Sequence, residues 1–255
     1  MTTAMKTEPI CLTRDGLTLR GFQSLPDENT FNVAVLFHGF MMNCGREPDS
    51  LIFQLSEALN RCGIATVRVD FAGQGKSDGR SEDMSVLSEL LDASCILRYA
   101  KQLPGARHLF VHGQSQGGVV ASMIAGIYPD LVDKLVLTAP AATLKEDAIH
   151  GRLMDITYNP NAVPDVQTVL ENRIGGFYLR TNQKLPIYEW AGFYNGPVLI
   201  LHADGDATVD KYASVKYHEI YTNSKLHILP GGNHPLSGEV RQTVLSMVCD
   251  FLTGA

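Results

Sequence analysis

Paired cysteines are missing from this chain. Its five cysteines, Cys11, Cys44, Cys62, Cys95 and Cys249, are odd in number, widely separated and without a CxxC spacing. That pattern argues against a disulfide framework and against a zinc site, and it fits a reducing compartment. Long apolar runs are missing too: none reaches the roughly 20 residues needed to span a bilayer. The N-terminal stretch MTTAMKTEPICLTRDG holds no apolar segment of a secretory signal. The expectation is a cytoplasmic protein with no membrane partner. Runs of like charge are also absent. With 21 Lys and Arg against 27 Asp and Glu the formal net charge is -6, which argues against a nucleic-acid surface and favours solubility. The glycine-rich loop 70–77, DFAGQGKS, lacks the P-loop spacing. It is read as a structural turn beside the site described next.

What the chain does have is a rhythm of short apolar strands and helices. At 255 residues it suits one α/β domain carrying an insertion. Leu17 to Gln23 and Asn32 to Phe37 open a sheet. A helix is expected over Asp49 to Cys62, a strand over Ile64 to Val69, and an amphipathic helix over Val86 to Leu103. Leu87, Leu90, Leu91, Ser94, Leu97 and Ala100 are placed on or near the buried side of that second helix. Leu109 to Val111 form a short strand, and Lys134 to Thr138 another. Strands alternating with helices at this spacing imply right-handed crossovers and a mostly parallel sheet. Residues 139–196 break the rhythm with Pro, Asn, Tyr and Gly, and read as an insertion over the sheet's carboxyl edge, where such folds bind ligands. The rhythm resumes with the strand Val198 to His202, a helix from about Lys211 to Tyr221, the strand Lys225 to Leu229 and a final helix to about Leu252. The core is therefore expected to be 1–138 with 197–255.

Between Val111 and a small-residue helix lies Gly113-Gln114-Ser115-Gln116-Gly117, a G-x-S-x-G pentapeptide. By chance such a pattern occurs in about one chain in ten of this length, so the strand before it and the helix after it carry the reading. In a nucleophile elbow the serine takes a strained conformation that lifts its hydroxyl above the sheet, and the flanking glycines avoid collisions. A serine hydroxyl needs a general base, itself oriented by a carboxylate. His234, in GGNHP after the last strand, and Asp206, in HADGDATVD after the strand ending at His202, supply both in the order Ser, Asp, His. Asp204 and Asp210 compete with Asp206; Asp204 is nearer the strand and Asp210 looks like a helix N-cap. His38-Gly39-Phe40 leaves an apolar strand where an oxyanion loop would, so the backbone amides of Phe40 and Gln116 are the candidate oxyanion donors. His38, His112 and His202 also fall near the site, and structural hydrogen bonds are their expected role. His108, His150, His218 and His227 are expected on the surface or in the core. This chemistry calls for no metal or organic cofactor.

HGF, DFAGQGKSDG, GQSQGG, APAA and the terminal G-x-x-H together resemble the cinnamoyl or feruloyl esterases of gut and rumen bacteria, which are α/β-hydrolases. APAATLKEDA, ITYNP, IGGFYLR and LPIYE are similar to that family's inserted subdomain. The resemblance implies a central, mostly parallel sheet flanked by helices with a cap over residues 139–196, and hydroxycinnamoyl esters (feruloyl, caffeoyl, p-coumaroyl) as small-molecule aromatic substrates. It also implies a homodimer. It places Asp147 and Tyr178 at the phenolic hydroxyls of the acyl group. Met154 stands where relatives carry a polar glutamine, and Gln114 where relatives often carry histidine. A thioether packs on an aromatic ring but accepts hydrogen bonds weakly. Two other readings remain: a general short-chain carboxylesterase or monoacylglycerol-type lipase, and a non-catalytic binding protein on a hydrolase scaffold.

Overall fold

The computed structural model describes residues 5–254. Its first strand pair follows from a two-residue turn: β1 (Met5–Arg14) and β2 (Leu17–Pro26) run antiparallel with Arg14 opposite Leu17. Asp15 and Gly16 between them both have positive φ, 50° and 81°, the conformation Asp-Gly adopts in tight hairpins. Then β3 (Phe31–Phe37), α1 (Leu51–Arg61), β4 (Ile64–Val69), α2 (Val86–Gln102), β5 (Ala106–Gln114), α3 (Gln116–Ile127) and β6 (Lys134–Thr138) alternate. Short elements follow: α4 (Leu144–Ile149), β7 (Arg152–Leu153), β8 (Ile156–Thr157), β9 (Val166–Val169), β10 (Asn172–Gly175), α5 (Gly176–Asn182) and α6 (Ile187–Ala191). The alternation closes with β11 (Val198–Ala203), α7 (Tyr212–Ile220), β12 (Ser224–Leu229) and α8 (Val240–Thr253). Among the described residues no helix is long and apolar enough to cross a membrane.

Eight strands make one sheet in the order β1-β2-β4-β3-β5-β6-β11-β12. The β1, β2 and β4 neighbours are antiparallel and all later ones parallel. Because side chains alternate along a strand, Val33, Val35 and Phe37 face α2 and α3, while Ala34 and Leu36 face α1 and α8. Both faces are covered, so β4 and β11 are buried at every residue, as parallel strands between helical layers must be. Each fully buried Val or Leu on these strands contributes about 1.5–3 kcal/mol.

The helices start where caps allow. Ser50 accepts from the Phe53 N–H at the head of α1. Ser85 and Ser88 satisfy each other's backbone donors at the head of α2. The phase of α2 corrects the sequence reading: Leu87 and Leu91 are exposed, at 37% and 54%, while Glu89 and Asp92 are buried. Val86, Leu90, Ala93, Ile96, Leu97 and Ala100 set the inward stripe. The two carboxyls are tolerated inside it because each has donors. Asp92 accepts from Arg14 Nε at 2.7 Å and from the Ala72 N–H at 2.8 Å, and Glu89 is described below. The fifth strand is also longer than Leu109 to Val111, since the buried polar residues His112 to Gln114 continue the ladder with β6.

Candidate active site

The chain turns sharply at the carboxyl end of β5. Ser115 has φ 56° and ψ −124°, a left-handed backbone that an L-residue keeps only when its surroundings enforce it. Here the Ser115 N–H is held by the Thr138 carbonyl at 3.0 Å, and its own carbonyl accepts from Gly118 and Ala141. The flanking glycines are required by space: a Cβ on Gly113 would strike the Gly117 carbonyl, and one on Gly117 the carbonyls of Phe37 and His38.

Two loops from neighbouring strand ends complete a hydrogen-bonded chain. His234 Nε2 lies 2.8 Å from Ser115 Oγ, and His234 Nδ1 lies 2.7 Å from Asp206 Oδ2. Asp206 follows β11 and His234 follows β12, strands paired in parallel so that both exits fall on one edge. The Asp206 carboxylate is buried. Its Oδ1 accepts the N–H groups of Thr208 and Val209 at 2.8 and 2.9 Å, and His202 Nε2 approaches its Oδ2 at 3.2 Å. Burial alone would raise its pKa, but the hydrogen bonds from His202, His234 and Val209 outweigh it and hold the carboxyl well below the usual range. Of its rivals, Asp204 accepts from the Gly231 N–H and Asp210 from the Tyr212 N–H at the start of α7. Buried Arg241 steadies the histidine loop, donating to the carbonyls of Pro235 and Leu236 and to that of Asp49.

The remaining histidines near the site serve structure. His202 Nδ1 contacts Ser214 Oγ at 2.7 Å, and its Nε2 faces both Asp206 and the Val209 carbonyl, so the N–H sits on Nε2. His38 donates from Nδ1 to the Gly39 carbonyl and accepts the Phe71 N–H at Nε2. His112 is buried against Thr138 Oγ1, and burial pushes its pKa down to about 3. His108, His150 and His218 pair locally with Asp133, the Glu146 carbonyl and Ser224 on exposed faces. Loop 70–77 wraps the buried Asp70 carboxylate, which accepts from Lys76 N–H, Cys44 N–H and Arg46. This ties it to the loop after Phe40.

Phe40 and Gln116 flank Ser115, one from the loop after β3 and one at the first position of α3. Neither backbone N–H makes a hydrogen bond within the described residues. The first N–H groups of a helix lack intrahelical partners and point toward where an anion is favoured. A cavity of about 590 Å³ opens beside Ser115 and His234, walled by Phe40, Leu144, Leu153 and Met154, with Asp147, Arg152 and Tyr178 also on its lining. Asp147 Oδ1 accepts from Arg152 Nη2 at 2.9 Å. The hydroxyl of buried Tyr178 donates to Gln116 Oε1 at 2.5 Å, and its ring lies 5.5 Å from that of Phe40. Met154 is 51% exposed with φ 50°. Arg152 and Glu89 were not marked by the sequence reading. Among the described residues no group of three or more His, Cys, Asp or Glu side chains is placed to hold a metal ion.

The chain is similar to known proteins in both sequence and structure. The chain superposes on Est1E from Butyrivibrio proteoclasticus with ferulic acid bound at a TM-score of 0.91, with 29% identity over 96% of this chain and 98% of that one. It is 29% identical to human protein ABHD12B over 78% of this chain and 55% of that protein. It is 26% identical to the lysophosphatidylserine lipase ABHD12 of Danio rerio over 78% of this chain and 49% of that protein. The chain thus spans about half the length of these two relatives. The model of the Hydrolase_4 family, serine aminopeptidase S33, matches residues 28–189. The chain belongs to that family of serine hydrolases, with the α/β-hydrolase fold and a similarity to a bacterial feruloyl-esterase type that runs nearly its whole length.

Proposed function

We propose that this protein is a serine esterase that hydrolyses hydroxycinnamoyl esters through an acyl-enzyme. The observation that carries the chemistry is the unbroken chain Ser115 Oγ, His234, Asp206 at 2.8 and 2.7 Å. Ser115 Oγ attacks the ester carbonyl carbon while His234 Nε2 takes its proton, and Asp206 stabilises the imidazolium. The carbonyl electrons move to oxygen, and the N–H groups of Phe40 and Gln116 donate hydrogen bonds to that oxyanion. One such donor is worth about 2.7–4 kcal/mol in comparable sites. Collapse expels the alcohol, which leaves with the proton from His234. Water then attacks the acyl-enzyme under the same base and releases the acid and Ser115.

The acyl group would lie in the cavity beside Ser115, its ring against Phe40 and Met154. A phenolic hydroxyl would donate to Asp147, whose carboxylate Arg152 holds, and Tyr178 oxygen has a lone pair to accept from it. Likeness to the ferulic-acid complex of Est1E across 96% of the chain supports this choice. A lipase-like reading, with an aliphatic acyl chain in the same cavity, is favoured by the similarity to the Danio rerio lysophosphatidylserine lipase. The division into a core of 1–138 with 197–255 and a cap of 139–196 belongs to the proposal, as does an aromatic-ester specificity seated in that cap.

The test is kcat/KM for methyl ferulate against an aliphatic methyl ester of matched size, with Ser115→Ala as control. A strong preference for the ferulate, abolished in the variant, is expected. Equal rates on both esters would leave a general esterase and remove the hydroxycinnamoyl assignment.

A further inference from the structure

A buried polar chain runs from the cap to the interior behind Ser115. The Tyr178 hydroxyl on α5 donates to Gln116 Oε1 at 2.5 Å. Gln116 Nε2 donates to both oxygens of Glu89 on α2, at 2.8 and 2.9 Å. Gln74 Nε2 reaches Glu89 Oε1 at 2.6 Å. Glu89 and Tyr178 are each 1% exposed, Gln116 2% and Gln74 3%. The serine chemistry described above uses none of these side chains, yet the backbone N–H of Gln116 is one of the two proposed oxyanion donors.

We propose that Glu89 is a positioning residue for the oxyanion site: it grips the Gln116 side chain from within while Tyr178 grips it from the cap, and the Gln116 N–H is thereby aimed. The assignment rests on the serine-esterase reading and not on the hydroxycinnamoyl one. Both ends of the Gln116 amide are spoken for, oxygen by a hydroxyl donor and nitrogen by a carboxyl acceptor, so the side chain has one orientation. A residue so fixed at the first position of α3 cannot swing its backbone amide. Oxyanion stabilisation depends on donors that are already in place when charge develops. The same link couples the cap to the chemistry, because Tyr178 also lines the substrate cavity.

Glu89 is suited to act as a neutral acid. Among the described residues its side-chain hydrogen-bond partners are the uncharged amides of Gln116 and Gln74; burial raises its pKa to about 8, with those donors opposing and Asp92, one turn along, reinforcing the rise. Gln74 Oε1 is buried without a partner. Turning that amide over sets its oxygen against Glu89, where a carboxylic O–H donates to it and the other carboxyl oxygen still accepts from Gln116. That pairs the Gln74 oxygen, which is otherwise buried without a donor.

The experiment measures kcat and KM on 4-nitrophenyl butyrate for wild type, Gln116→Met, Glu89→Met, the double variant and Glu89→Gln, with Ser115→Ala as control. Methionine keeps the backbone and bulk but breaks the link, whereas glutamine can donate and accept as the neutral acid does. Gln116→Met and Glu89→Met are expected to lose about 10-fold in kcat, a fraction of the about 100- to 1,000-fold that follows loss of an oxyanion donor, with little change in KM. The double variant should be no worse than either single one, since both cut the same link. Glu89→Gln should stay near wild type. Affinity for a phenylboronic acid, which forms a tetrahedral adduct on serine, should fall in step with kcat. Should Glu89→Met fail to fold, Gln116→Met decides alone. Ser115-dependent turnover with wild-type kcat in Gln116→Met, or losses confined to thermal stability or to KM, would overturn the assignment. Wild-type activity that survives Ser115→Ala would instead overturn the esterase reading beneath it.

Discussion

The strand ends that hold Ser115, Asp206 and His234 differ in kind from the segment between β6 and β11. Ser115 and Asp206 leave strand ends buried on both faces, His234 follows the edge strand β12, and each side chain of the proposed triad is fixed by partners: Thr138 for the Ser115 N–H, His202 and Val209 for Asp206, and Arg241 for the loop of His234. The latter is built of elements two to seven residues long and leaves Met154, Leu170 and Phe177 largely exposed. The first region has the density to hold a reaction geometry, the second the latitude to vary what it touches. Active sites on rigid frames with variable loops above follow this division generally.

Breaking the frame should cost most. Ser115→Ala is expected to fold and to lose turnover by at least about 10⁴-fold, read as kcat on any ester; near wild-type activity would remove the elbow assignment. Asp206→Asn should lower kcat by about 10³–10⁴-fold, because the amide no longer orients and stabilises the imidazolium. His202→Ala removes one donor to a buried charge, worth at the low end of about 1.5–3 kcal/mol. About a 10-fold loss in kcat with KM unchanged would place His202 among the groups that orient Asp206, and an unchanged kcat would confine it to packing.

The smallest effect lies between the regions, at Glu89. A carboxyl whose folded-state pKa is raised binds more protons folded than unfolded, so its contribution to stability is whole below its ordinary 4.5 and is lost as pH rises to about 8. The Tm of wild type should therefore fall relative to that of Glu89→Gln across that window. A constant difference between the two proteins from pH 5 to 8 would mean that Glu89 is ionised throughout.

The same contrast explains what could be read from the residues alone. Gly113, Ser115 and Gly117 announce the elbow because a close backbone approach admits few residue types. His234 and Asp206 follow from their places after apolar strands. The sheet's first strand was missed although Asp15-Gly16 marks a hairpin, because β1 alternates polar and apolar residues only loosely and its register is set by pairing with β2. Glu89 escaped notice for a different reason: helical periodicity assigns charged residues outward, and only the donors from α3 and the 70–77 loop, distant in sequence, make its burial tolerable. Leu87 and Leu91 were misplaced by the same periodicity, which cannot tell which of two overlapping apolar stripes the sheet will cover. In the segment 139–196, α4 to α6 are too short for periodicity to report. The residues there were marked by resemblance, and Tyr178 lines the cavity while its hydroxyl donates to Gln116.

The most direct test of a frame that reacts beneath a cap that selects is the ratio of kcat/KM for methyl ferulate to that for an aliphatic ester of matched size, in wild type and in Asp147→Ala. The account predicts that the ratio falls by about 10-fold or more, as expected for a lost hydrogen bond to a charged group, while the aliphatic ester is turned over as before. An equal loss on both esters would contradict it, placing Asp147 in the support of the frame and leaving the cap without a role in choosing the substrate.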